Sequence, residues 1–238
     1  MAALRKFDSP TLSNAIETFA IRPRDEGYMS MDVRCLFPEL GPMVGYATTA
    51  TIRARGRPDH SDQTALYQHV RDVAGPRVVV VQDLDEPPGR GSLWGEVNAT
   101  IFGALGCAGC VTDGCVRDLK EVRAIGFHFF ARGPGVSHAY VRVESTGQPV
   151  TVGGLLVSPG DLIHADQHGV LLIPREIASE LPAAAERVIA SEQSLLNWVR
   201  SSEFDADELI ERRRVKHCRG SRRQPPPFRS RRCAAAAC

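Results

Sequence analysis

Between Leu93 and Glu121 the chain reads LWGEVNATIFGALGCAGCVTDGCVRDLKE, a run holding three groups that could do chemistry together. Gly95 leads into Glu96-Val97-Asn98 at what reads as a helix start, where the first N–H groups lack intrahelical acceptors and suit an anion. Twenty residues separate Glu96 from Arg117-Asp118, a pair that offers one permanent cation and one hard carboxylate. Amides, a guanidinium and a carboxylate in one place suit a small anionic substrate and a hard divalent metal.

Blander readings compete with each group. Taken alone, Arg117-Asp118 reads as a surface ion pair, with Asp118 as a helix N-cap and Glu121 completing a capping box. Cys107-Ala108-Gly109-Cys110 has the spacing of a redox or zinc motif. Only Cys115 follows nearby, however, and the segment runs into an apolar strand, so packing is the expected role. His138, His164 and His168 lie in or beside expected hairpins, where solvated or core-satisfied imidazoles are commoner than ligands. His60 and Asp62, in a polar loop, are further candidates for substrate contact. No lysine for a Schiff base accompanies the site, and no glycine-rich nucleotide motif is present.

The elements that would position these groups follow from periodicity. Ser9 is expected to cap a first helix, with Pro10 at its first position and Leu12, Ala15, Ile16 and Phe19 inward. Arg22 to Pro42 reads as a loop with short structure. Met43 to Arg53 alternates as a strand, Gln63 to Val73 suits a helix, and Val78 to Val81 suits a strand covered on both faces. A helix over Asn98 to Leu105 stops at Gly106, and a strand follows over Cys110 to Thr112. Leu119 to Ile125 reads as a short helix and Phe127 to Ala131 as a strand. Tyr140 to Glu144 and Val150 to Val152 are expected to pair as a hairpin, as are Leu162 to Ala165 and Val170 to Ile173. Pro174 opens a helical stretch to Val199, interrupted at Pro182.

With 238 residues and 43% apolar content, the chain suits one domain with a sizeable core. The net charge of +1 conceals an asymmetry: residues 211–238 hold ten Arg or Lys and one acid, which leaves −8 on residues 1–210. We expect a single domain over 1–210 and a basic tail over 211–238, disordered from about Val215. The tail could neutralise phosphates, but it lacks aromatic interleaving beyond Phe228, and its composition equally fits a shifted reading frame in a GC-rich gene. Nucleic acid is expected to meet the protein only through that tail. Seven cysteines, odd in number and unevenly placed, suggest reduced thiols. No apolar run spans a membrane and no signal-peptide pattern opens the chain, so a cytoplasmic location is expected.

The spacing of Glu96 to Arg117-Asp118, together with CAGCVTDGCVRDLKE, GGLLVSPGDLIHADQHGVLLIP, PTLSNAIETF and MVGYATT, resembles one family over roughly residues 8 to 195. It contains 4-hydroxy-4-methyl-2-oxoglutarate/4-carboxy-4-hydroxy-2-oxoadipate aldolase and the regulator of ribonuclease E activity A. The resemblance implies an α/β fold of the swivelling β/β/α layered type with a C-terminal helix, and homotrimers or hexamers with sites at subunit interfaces. Its aldolase branch implies Mg²⁺ or Mn²⁺ and cleavage of a 4-hydroxy-2-oxo acid to pyruvate, with oxaloacetate decarboxylation as a related activity. By position Asp118 is then the direct metal ligand and Arg117 grips the pyruvyl oxygens. Gly95, Glu96, Val97 and Asn98 hold the substrate carboxylate through their amides. Glu96 stands where the aldolases usually have Asp, holding a water on the metal, and Glu192 of a neighbouring subunit holds another, with Glu186 as the alternative. The regulator branch typically loses the Asp of the pair, which this chain keeps. A protein-binding regulator of a ribonuclease is the alternative function.

Overall fold

The structure is a computed structural model that describes residues 1–56 and 62–220, with the helical backbone alone described over 215–220. The described chain divides into two compact units, Met1–Ile189 and a second that starts at Ala190. Its strands are β1 (Arg34–Cys35), β2 (Met43–Arg53), β3 (Arg77–Asp83), β4 (Cys107–Thr112), β5 (Cys115–Val116), β6 (His128–Ala131) and β7 (Gly133–Pro134), followed by β8 (Arg142–Thr146), β9 (Val150–Val152), β10 (Leu155–Val157), β11 (Leu162–Asp166) and β12 (Gly169–Ile173). The helices are α1 (Ser9–Glu17), α2 (Thr64–Asp72), α3 (Glu96–Ala104), α4 (Leu119–Ala124), α5 (Leu181–Val199) and α6 (Ala206–Gly220).

The fold is α/β. One eight-stranded mixed sheet runs in the order β1-β6-β4-β3-β2-β11-β12, with β8 also on β2. Strands β2, β3, β4 and β6 are parallel neighbours, joined by helical crossovers that cover the sheet. Val78 to Val81 in β3 are all fully buried, as a continuous apolar run between two covered faces requires. Aromatic packing fills the core beneath α3, where Trp94 meets Phe102 at 5.0 Å and Phe127 at 5.9 Å between ring centroids. A second apolar cluster lies between the sheet and the β9–β10 ribbon, and a third under α1 and the start of α5.

Three expectations need correction. The cap of α1 is Asp8, whose carboxylate accepts the Thr11 amide at 2.8 Å. Ser9 is drawn inward instead: its N–H donates to Asp166 and its hydroxyl pairs with His164 Nδ1 at 2.9 Å. Second, β8 and β9 do not pair with each other. Gly153 and Gly154, both at positive φ, turn β9 tightly into β10, while β8 pairs with the far half of β2 and Gly147 N–H binds Thr49 O at 2.9 Å. Helical backbone is described as far as Gly220. Asp205 accepts the Glu208 amide at the start of α6, Glu208 pairs with Arg212 one turn on, and the Arg212 guanidinium stacks over Trp198 at 4.2 Å. Residues 221–238, and with them the rest of the expected tail, lie outside the described residues. Third, the interruption at Pro182 falls before it: a short turn over Arg175–Ile177 precedes α5, and Pro182 occupies the first turn of that helix, where its missing N–H costs nothing.

The histidines of the hairpins are satisfied as expected. Burial keeps His164 below the usual histidine range and neutral, with Nε2 against Phe7 O at 3.1 Å, and His168 pairs with Asp166 at 3.3 Å. Cys107 and Cys110 are buried free thiols on β4, and burial pushes Cys107 up to about 12. A thiol so raised is a packing residue rather than a nucleophile.

Candidate active site

The two halves of the motif, far apart in sequence, are laced together by backbone. Ser92 Oγ lies 2.7 and 2.8 Å from Trp94 O and Cys115 O, which share its single proton, and accepts the Trp94 amide at 3.0 Å. Trp94 bridges to Val116 in a parallel sense, and the Arg117 amide donates to Trp94 O at 2.9 Å. Buried Trp94 thus anchors a strap that delivers Gly95 and Glu96 to Arg117 and Asp118. Sequence reasoning did not single out Ser92 and Trp94; the signal available was a serine two residues before an apolar residue, the spacing of a side-chain-closed turn.

At the end of the strap Asp118 Oδ2 accepts the Glu96 amide at 2.9 Å. That amide is the first of α3, so the carboxylate sits at the positive end of the helix. The Val97 and Asn98 amides also precede the first intrahelical bond, from Ala99 N–H to Gly95 O, and so belong to the same unfilled turn. Asn98 is pinned by its side-chain amide, which donates to Leu93 O. Gly95 is required by space: a Cβ there would lie 2.4 Å from Asp118 Oδ2.

Asp118 itself has φ 55° and ψ 46°, the left-handed region that a side chain normally avoids. It stands at the N-cap of α4, yet its side chain makes no capping hydrogen bond there. The capping-box reading therefore fails: the carboxylate is turned away from its own helix and toward α3. The ion-pair reading fares little better, since Arg117 Nη2 is 3.9 Å from Asp118 Oδ2 and both side chains are about one-third exposed. Arg117 Nη1 reaches Val136 O at 3.5 Å. A non-glycine residue held in strain to aim a carboxylate at a helix end is the pattern of a functional position.

Not every candidate converges. Glu96 reaches Asp118 through its amide, and no ion pair or hydrogen bond joins its exposed carboxylate to Arg117 or Asp118. Glu186 is exposed on α5, and Glu192 lies beyond Ile189 in the second unit. Asp62 is occupied in starting α2, accepting the Thr64 amide at 2.8 Å and its hydroxyl at 2.6 Å, and His60 lies outside the described residues. Around the site two apolar side chains are bare, Val97 at 72% and Val136 at 97% exposure.

The donor set fits a hard divalent cation in one respect. Asp118 has one oxygen tied by an amide and the other without a hydrogen bond among the described residues, and a small hard cation that keeps waters needs only one or two carboxylates. Among the described residues no three His, Cys, Asp or Glu side chains cluster as a complete metal cage. Most of the coordination would therefore come from water and substrate.

Comparison with known proteins agrees with this architecture. The family described as RraA-like, Aldolase/RraA, matches residues 9–172. A Halalkalibacterium halodurans protein provisionally named 4-hydroxy-4-methyl-2-oxoglutarate aldolase is 32% identical over 112 residues, 47% of this chain and 50% of its own length. A Burkholderia multivorans protein of the same provisional name is 35% identical over 146 residues, 59% of this chain and 84% of its own. The chain spans about half the length of the first curated relatives it matches. Among solved structures, Streptomyces coelicolor RraAS2, described as an unusual member of the RNase ES inhibitor RraA protein family, superposes with a TM-score of 0.64. It is 25% identical, over 81% of this chain and 92% of that one.

Proposed function

The chain belongs to the RraA-like, Aldolase/RraA family, and from that premise we propose that it is a divalent-metal-dependent lyase that cleaves a 4-hydroxy-2-oxo acid to pyruvate by retro-aldol chemistry. The observation that carries the reading is the strained Asp118 carboxylate, held against the first amide of α3 beside Arg117. In this reading the Val97 and Asn98 amides take the substrate carboxylate, completing the N-terminal turn of α3. Arg117 offers a planar fork to the 2-oxo and enolate oxygens, where negative charge grows as the carbon–carbon bond breaks. Gly95 keeps that surface open, because any side chain there would fill the space the carboxylates occupy.

Mg²⁺ or Mn²⁺ on the untied Asp118 oxygen would supply Lewis-acid stabilisation of the enolate. Oxaloacetate decarboxylation passes through the same pyruvate enolate and is proposed as a side activity. The proposal also includes trimers or hexamers, with Glu96 of the same chain and Glu192 of a neighbouring subunit each acting through water. Exposed Val97 and Val136 support a covered rim, since apolar groups around a charged site are better buried than solvated. No helix among the described residues is long and apolar enough to cross a membrane.

The test is pyruvate release from 4-hydroxy-4-methyl-2-oxoglutarate and from oxaloacetate by chelator-treated protein, before and after Mg²⁺ or Mn²⁺ is returned. Metal-restored pyruvate supports the lyase. No pyruvate from either acid, with or without metal, favours the ribonuclease regulator instead.

A further inference from the structure

A different concave surface lies where β2 and β3 end and β8 begins. Arg53 closes β2, Asp85 and Glu86 follow β3, and Arg142 opens β8; with Arg55 and Leu84 they line a cleft of about 440 Å³. That is within the roughly 300–1,000 Å³ usual for small-molecule sites. A neighbouring cleft of about 330 Å³ shares Arg55 and adds Arg90. Neither includes Gly95, Glu96, Arg117 or Asp118. It lies at the carboxyl ends of the parallel strands β2 and β3, beyond the stretch of β2 that pairs with β11 and beside the stretch that pairs with β8.

The floor of this cleft is built rather than incidental. Asp85 is 3% exposed, and its Oδ2 accepts the amides of Ala54 and Arg55 at 2.9 and 3.1 Å. Arg53 Nη1 donates to Leu84 O at 3.0 Å. Arg142 is fixed by Glu144 at 2.8 Å and by the Arg55 and Gly56 carbonyls at 2.9 and 3.2 Å. Three guanidiniums are thereby gathered at one opening; Glu144 neutralises Arg142, while Arg53 and Arg55 make no ion pair among the described residues. One buried acceptor is left over: Asp85 Oδ1 has no hydrogen-bond partner among the described residues, although an unmatched buried carboxylate oxygen is costly. The clustered cations call for an anion, and the orphaned oxygen calls for a donor close to it.

We propose that this cleft is a second binding site, for a small carboxylate that also carries a hydroxyl or ammonium donor. The ligand carboxylates pair with Arg53, Arg55 and Arg142, and its donor meets Asp85 Oδ1, which moves slightly to receive it.

Calorimetric titration with L-malate, L-aspartate and succinate tests this, because the three differ at one carbon by a hydroxyl, an ammonium or a hydrogen. Malate or aspartate should bind at least about tenfold more tightly than succinate, and which of the two is tighter identifies the donor. Asp85→Asn keeps an acceptor for the Ala54 and Arg55 amides but turns an NH₂ toward the ligand, so the preference for malate or aspartate should vanish or reverse. Arg55→Gln should weaken all binding by about tenfold or more, and Asp118→Ala should leave it unchanged. No binding at roughly 10 mM, equal binding of all three acids, an Asp85→Asn protein with the same preference, or loss of binding in Asp118→Ala would each overturn the assignment.

Discussion

Substituting Gly95 by alanine adds a single methyl group to the site and nothing elsewhere. Its backbone, at φ −158° and ψ −170°, is extended and open to any residue, so the cost is contact alone. The new Cβ would lie 2.4 Å from Asp118 Oδ2 and 3.3 Å from its Cγ. Restoring ordinary contact, at about 3.4 Å, moves that oxygen by about 1 Å, enough to break its 2.9 Å bond to the Glu96 amide. A charge-assisted bond of this kind contributes about 2 kcal/mol, and a catalytic group misplaced by about 1 Å costs on the order of 10²-fold in rate. Pyruvate formation in Gly95→Ala should therefore fall by about 10²-fold. Its thermal midpoint should fall by only a few degrees, about what the lost bond accounts for, because Asp118 is partly exposed and can swing into solvent. Gly133→Ala is the control, since a Cβ there meets nothing within 4 Å. A Gly95→Ala protein with wild-type turnover would refute the idea that the 2.9 Å contact sets the geometry of the site.

Other perturbations separate function from stability. Asp118→Gly relieves about 1 kcal/mol of left-handed strain but gives up the bond to the Glu96 amide, worth about 2 kcal/mol, so stability in chemical denaturation should fall by only about 1 kcal/mol while turnover is abolished. Arg117→Ala should cut turnover with the fold intact by circular dichroism, and an unfolded variant would return it to a structural role. Burial holds His128 at about 4, against roughly 6.5 unfolded, so the unfolded chain takes up the proton first as pH falls. Stability should then drop by up to about 3 kcal/mol between pH 6.5 and 4, and His128→Leu, which removes a buried nitrogen without a partner, should flatten that fall in acid-denaturation curves. Asp113 is raised to about 6 by burial, so stability is lost as pH rises from about 4 through 6 and its carboxyl ionises. Asp113→Asn keeps the acceptor for the Asp83 amide and should stabilise the protein at pH 7 by about 2 kcal/mol.

Local signals made most elements legible in the sequence. The apolar run at Val78 to Val81 and the β-branched run of Met43 to Arg53 are properties of the strands themselves, and both strands form where expected, although Met43–Arg53 is buried almost throughout rather than on alternate residues. Partner choice was another matter. β8 could have folded back on β9, and only the double glycine at 153 and 154, which closes β9 onto β10, leaves β8 for β2 nearly a hundred residues earlier. Asp8 and Ser9 are both good caps, and the choice between them is made by Asp166 and His164 on a distant strand. At the site, the residue types were readable but their convergence was not. The strap through Ser92 and Trp94, and the left-handed turn at Asp118, are long-range consequences of β5 lying beside the 92–96 loop. The arginine cleft went unseen because Arg53, Arg55 and Arg142 look like ordinary solvated residues until β8 crosses onto β2.

The central claim, that the Asp118 carboxylate is where the chemistry happens, is tested most directly by Asp118→Asn. Asparagine retains an oxygen for the Glu96 amide and tolerates the left-handed backbone, so it removes the charge and little else. With Mg²⁺ or Mn²⁺ and 4-hydroxy-4-methyl-2-oxoglutarate or oxaloacetate, wild-type protein should release pyruvate, and Asp118→Asn should do so at least about 10²-fold more slowly at an unchanged melting temperature. Equal rates from the two proteins would contradict the account.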